Sequence, residues 1–200
     1  MSTTWKEQVI MELVAEGNDE QVVRLIDAIW NLEPEQINER FDLQMRLGRR
    51  YLALALAQTG GTPDEDVEVL LERRLEQDLL VPSGTEESHR IVPEWYAEAE
   101  KLFSAVLERA SHPQTKAKAF AHRGFVHALC GAFDRALADL DQALSLLPLA
   151  PDLCYWRGQI LAQLGAYEEA RGALSAACER DPKNERYRRA YLRIVESDAV

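Results

Sequence analysis

A chain of 200 residues with 46 % hydrophobic side chains is long enough to bury a core and too apolar to remain disordered. Its net charge of −11 argues against nucleic acid or an anionic membrane as the main partner, because both select a basic footprint. The charge is uneven: residues 1–111 carry 11 basic and 23 acidic side chains, whereas residues 112–200 carry 12 and 11.

The opening MSTTWKEQVIMEL has neither a basic region nor a following apolar stretch, and no run approaches the roughly 18 apolar residues of a membrane span. The expectation is a soluble, cytoplasmic protein. Trp5, Val9, Ile10, Leu13 and Val14 share one helical face, and Gly17-Asn18 breaks that helix before a second with Val22, Ile26 and Ile29 inward. Pro34 follows Gly17 at the same offset at which Pro148 follows Gly131 and Pro182 follows Gly165, so the segment 3–36 reads as a degenerate helical hairpin. A long helix from about Pro34 to Gln58 follows, with Leu52, Ala53, Leu56 and Ala57 inward. Thr59 to Pro63 is a turn by composition. From about Asp64 to Leu80 a further helix uses Val67, Leu70, Leu71 and Leu75 as its apolar side, with acidic residues in its first turn as the macrodipole favours. Residues 1–80 are thus read as degenerate helical repeats.

Residues 81–93, VPSGTEESHRIVP, have no periodicity and read as a loop. Helical spacing returns from Glu94 to Ala110 with Tyr96, Ala99, Phe103 and Val106, a helix whose partner the pattern leaves missing or replaced by the loop. Residues 94–200 form the clearest unit. Gly124, Gly131, Ala136, Ala143 and Pro148 recur 34 positions later as Gly158, Gly165, Ala170, Ala177 and Pro182. Small residues at Gly124 and Gly158 let a second helix lie close, Gly131 and Gly165 permit a tight inter-helix turn, and the prolines end the second helices. Asn184 can cap a last helix over residues 185–196, with Tyr187, Ala190, Tyr191 and Ile194 covering the preceding unit.

A helix-turn-helix period of this length with this punctuation resembles the tetratricopeptide repeat, over residues 117–150 and 151–184. The resemblance implies an all-α, right-handed α-solenoid with a C-terminal capping helix, whose concave groove binds a peptide or a partner protein. It implies no catalysis. The residues agree, because the chain has no nucleophile elbow, phosphate-cradling loop or HExxH, and His122 and His127 are spaced so that they do not share a helix face. Neither a cofactor nor a metal is expected. Cys130, Cys154 and Cys178 form no CxxC pair and read as small core residues.

First helices of such repeats line the groove, which selects Lys118, His122, Phe125, Ala128 and Leu129 from one unit and Tyr155, Trp156, Gln159 and Gln163 from the next. The last helix adds Arg186, Arg189 and Arg193. This mixture of rings, amides and positive charge suits a peptide bearing carboxylates, although Phe125 and Trp156 would serve equally well as packing between repeats. Arg123 and Arg157 occupy one repeat position, with Asp139 between them as an inter-repeat ion pair. Chaperone adaptors that clamp a C-terminal carboxylate need lysine and asparagine where this chain has Ala121 and Phe125, so that ligand is not implied. The reading is a non-enzymatic scaffold, adaptor or chaperone, of which a bacterial secretion chaperone is a special case. Its alternatives are a regulatory or enzymatic N-terminal half with the repeats as recognition arm, and a homo-oligomer assembled through the repeats.

Overall fold

A computed structural model describes residues 44–49, 51–53, 56, 67–78 and 94–197. The degenerate hairpin expected over 3–36 and the loop at 81–93 lie outside them. The regular structure of the described residues is all helical, with turns between the helices and no strand among them. Helical residues 44–49 and 51–53 are followed by α1 (Val67–Asp78), α2 (Glu94–Arg109), α3 (Pro113–Leu129), α4 (Phe133–Leu146), α5 (Pro151–Gln163), α6 (Tyr167–Arg180) and α7 (Glu185–Ser197).

The C-terminal hairpins α3–α4 and α5–α6 are near copies. Each begins with proline at its first helical position, where a missing N–H costs nothing. Each first helix ends on a glycine at φ +73°, Gly131 or Gly165. Around Gly131, its N–H reaches Ala128 O at 3.0 Å and Ala132 N–H reaches His127 O at 2.8 Å. Gly165 and Ala166 repeat those two bonds, to Ala162 and Leu161. This Schellman arrangement satisfies the last carbonyls and turns the chain back on itself.

Behind each turn the two helices approach at a glycine without a side chain. A Cβ on Gly124 would meet Ala136 O at 3.2 Å, and one on Gly158 would meet Leu174 Cγ at 2.7 Å. Leu140 and Leu174, which follow these glycines at one common spacing, are fully buried. Asn184 Oδ1 accepts from Arg186 N–H at 3.1 Å and caps α7. Tyr187, Ala190 and Ile194 are the buried face of that helix.

The helix left without a partner by its sequence has one. A Cβ on Gly48 would lie 2.5 Å from the Phe103 ring of α2. This is the relation of Gly158 to Leu174, so the helical residues around Gly48 and α2 make the first hairpin of the described solenoid. Phe103 follows Gly48 at a much greater separation than Leu140 follows Gly124, which places an insertion inside this hairpin, with α1 in it. Periodicity within the 94–110 segment could not reveal a partner lying on the far side of an insertion.

The glycine contacts carry a direct stability prediction. Gly158→Ala should destabilise by about 1–3 kcal/mol because Leu174 must give way, whereas Gly172→Ala, with open space around its Cβ, should stabilise by roughly 0.5–1 kcal/mol through helix propensity. Urea unfolding of the two variants checks both signs.

Candidate functional site

First helices of successive hairpins turn His122, Phe125, Tyr155 and Trp156 toward one side of the solenoid. Their rings form a ladder that begins on Phe103. Phe103 stands 5.4 Å from His122, His122 5.5 Å from Phe125, Phe125 5.0 Å from Trp156, Trp156 5.0 Å from Tyr155, and Tyr155 5.2 Å from Tyr187. Every ring in it is buried. Arg186 of α7 lies over the end of the ladder, 4.4 Å above Tyr155 and 4.8 Å above Trp156, where a guanidinium gains from both ring faces.

These side chains meet α1. Tyr155 Oη donates to Glu72 Oε1 at 2.5 Å and accepts from Gln159 Nε2 at 3.0 Å. Arg186 Nε lies 3.1 Å from Glu72 Oε2. One turn earlier, Glu68 Oε1 is 3.7 Å from His122 Nε2, and its other oxygen accepts from Arg49 at 3.0 Å. Glu68 and Glu72 therefore share a face of α1, as i, i+4 residues must, and address side chains from four different helical segments. Val67, Leu70 and Leu71 are buried beside them, while Val69 is exposed.

The local field fits this seating. Burial, reinforced by the hydrogen bond to Glu72, pushes the Tyr155 phenol up to about 12, so it stays a donor. Burial works against the Arg186 charge, but Tyr155 and Glu72 outweigh it and hold the guanidinium above its ordinary value.

Of the twelve residues selected from sequence, His122, Phe125, Tyr155, Trp156, Gln159 and Arg186 come together in this way. Lys118 and Arg189 are exposed, with Arg189 turned back to the Glu185 carbonyl at 3.5 Å, and Arg193 is half-buried. The sequence reading missed Glu68 and Glu72. A signal for them existed in the charge asymmetry between an acidic N-terminal half and a C-terminal half with arginines on its last helix.

A second polar cluster ties the hairpins together on another side of α3. Asp139, buried on α4, takes a bidentate pair from Arg123 at 2.7 and 2.9 Å and lies 3.1 Å from His127 Nδ1. Across the repeat boundary, His127 Nε2 sits 3.2 Å from Glu100 of α2, and Arg123 reaches Ser104 at 3.3 Å. Asp139 thus binds Arg123 within one hairpin, and its two partners make the bridge to the next. Arg157 does not use Asp139 but pairs with Asp141 at 2.8 Å, because Ala173 stands where its own hairpin would need the aspartate. Cys130, Cys154 and Cys178 are free thiols, and burial raises all three, Cys130 to about 11. Such thiols are poor nucleophiles. Among the described residues no group of three or more His, Cys, Asp or Glu is placed to hold a metal, and no helix is long and apolar enough to cross a membrane.

Comparison with known proteins bears on the hairpins. The tetratricopeptide repeat family model matches residues 131–185. Over residues 131–185 the chain carries the tetratricopeptide pattern. Among solved structures, MamA (residue 41 to its end) from Desulfovibrio magneticus RS-1 is similar at 15 % identity and TM-score 0.51, over 98 % of this chain and 88 % of that one. A tetratricopeptide-repeat protein of Thermus thermophilus aligns at 20 % identity and TM-score 0.48, over 95 % of this chain and 97 % of that one. No curated protein matches. At such identities the likeness to MamA concerns the fold, an all-α solenoid, and leaves the groove chemistry to this chain's own residues.

The Asp139 cluster makes stability depend on pH in a defined way. His127 is raised above its ordinary 6.5 by the hydrogen bond to Asp139, against burial. The folded state therefore holds that proton more tightly, and the contribution is complete below pH 6.5 and lost as pH rises through the folded value. For Asp139, burial pushes upward but Arg123 and His127 prevail and hold it below 3.8, so its contribution is present above 3.8 and lost as pH falls through the folded value. On the alkaline side of the ordinary histidine value, wild type should lose stability with a slope of up to about 1.4 kcal/mol per pH unit that His127→Gln abolishes. Asp139→Asn should cost roughly 3 kcal/mol at neutral pH. Urea titrations across the range measure both.

Proposed function

We propose that this chain is a protein-interaction module whose concave face receives a helix bearing two carboxylates one turn apart. One observation carries the reading: Tyr155 and Arg186 together grip the carboxylate of Glu72 on a helix laid against the solenoid. The Tyr155 hydroxyl donates to the carboxylate, a charge-assisted hydrogen bond stronger than a neutral one, and the stacked guanidinium adds its opposite charge beside it. Buried rings beneath it keep water out. Phe125 and Trp156, inside the ladder, act as its floor rather than as free anchors, while Tyr155, Arg186 and His122 present the polar atoms.

Scaffold, adaptor and chaperone roles all use such a surface, and none requires a catalytic group. The partner is a protein segment of amphipathic, acidic character, matched to the arginines of α7 rather than to the net charge of the whole chain. Lys118 and Arg189, exposed at the margins, extend the positive rim that such a segment would meet.

The test uses the full chain with Glu68 and Glu72 changed to alanine and a fluorescein-labelled peptide of sequence VEVLLERRLEQD. Fluorescence anisotropy should report binding that Arg186→Ala weakens at least about tenfold. Binding indifferent to Arg186, or no binding at all, would remove the groove from the account.

A further inference from the structure

Helix α1 meets Tyr155, Arg186 and His122 through Glu68 and Glu72 while belonging to the chain. It lies within the insertion of the first described hairpin, between Gly48 and Phe103. That hairpin has a close contact of its own, Gly48 against the Phe103 ring, on which α1 is laid through Glu68 and Arg49. The α3–α4 and α5–α6 hairpins likewise pack through their own glycines. Glu68 and Glu72 instead reach side chains on the surface that these hairpins make together.

We propose that α1 is an internal occupant that keeps the groove closed, and that the partner is a helix of the same chemistry which displaces it. This inference rests on the reading of the groove as a helix-receiving site. The displacing segment is specified by what α1 presents: carboxylates at i and i+4, with aliphatic residues at the positions of Val67, Leu70 and Leu71 between and beside them. Charge complementarity supports an acidic competitor, because Arg186 and the Tyr155 hydroxyl would otherwise face an opened groove without the carboxylate they now share.

Tethering sets how difficult displacement is. A segment joined to its own site acts at an effective concentration on the order of millimolar, so a short competitor at micromolar concentration fails unless it binds far more tightly than α1 does. Affinity for any partner is then reduced by the fraction of molecules in which α1 has lifted away. Weakening α1 alone, with the groove untouched, must therefore strengthen binding in trans.

Three full-length proteins decide the matter: wild type, Glu68→Ala/Glu72→Ala, and that double variant with Arg186→Ala. Each is titrated with labelled VEVLLERRLEQD, and circular dichroism verifies folding. The expected result is binding at least about tenfold tighter to the double variant than to wild type, lost again when Arg186 is removed. Equal affinity in wild type and double variant, with binding lost from the double variant when Arg186 is removed, would overturn displacement while leaving the groove reading intact. Failure of all three to bind would overturn the groove reading itself. Should the double variant fold poorly, hydrogen exchange in wild type supplies the answer: amides of residues 67–78 should exchange at least about tenfold faster than those of α5 and accelerate further on adding isotope-labelled peptide. Protection equal to that of α5 and unmoved by peptide would overturn the proposal.

Discussion

Close approach of two helix backbones at a residue with no side chain is the constraint from which the architecture follows. At Gly48 and Gly158 the first helix of a hairpin presses on a bulky residue of the second, Phe103 or Leu174, and at Gly124 on the Ala136 carbonyl. Close-packed cores do not absorb an extra methyl there without a shift. Once that contact fixes each hairpin, the left-handed glycines fix its turn, and stacking leaves the first helices side by side. The ring ladder from Phe103 to Tyr187 is the consequence of that alignment. Repetition in sequence thus becomes a continuous surface in space.

That surface is not empty. Glu72 accepts the Tyr155 hydroxyl and sets its charge beside Arg186, and Glu68 lies between His122 and Arg49. A buried guanidinium stacked on two rings without a carboxylate would carry a heavy desolvation cost, and the hydroxyl of Tyr155 would lose its acceptor. The groove residues and the acidic helix therefore explain one another. Asp139 plays a separate part: with Arg123 and His127 it fastens α2, α3 and α4, and its contacts lie apart from those of Glu68 and Glu72.

Most of the C-terminal fold was legible because its determinants are local. Glycines and prolines recurring at one fixed period specify turns, close approaches and helix ends without reference to distant parts of the chain. Five of the residues chosen for the groove meet because they lie on the first helices α3 and α5, where His122 and Trp156 occupy one register and Phe125 and Gln159 another, and Arg186 joins them from α7. What local pattern could not supply was long-range. Nothing near Gly48 announces that its partner is Phe103, on the far side of an inserted helix. Nor does the amphipathic pattern of residues 67–78 state which surface its apolar side will meet. The one clue was electrostatic, an excess of acid in the N-terminal half opposite arginines in the C-terminal half, and charge balance identifies complementary regions without naming residues.

The central claim is that Glu72 on one helix and Arg186 on the last helix act as a pair across the solenoid. A double-mutant cycle with Glu72→Gln, Arg186→Ala and the combined variant, measured by urea unfolding, tests it most directly. The account predicts a coupling of about 1–3 kcal/mol, as for residues in one ion-pair network. Additivity within roughly 0.3 kcal/mol, the behaviour of distant independent sites, would contradict it.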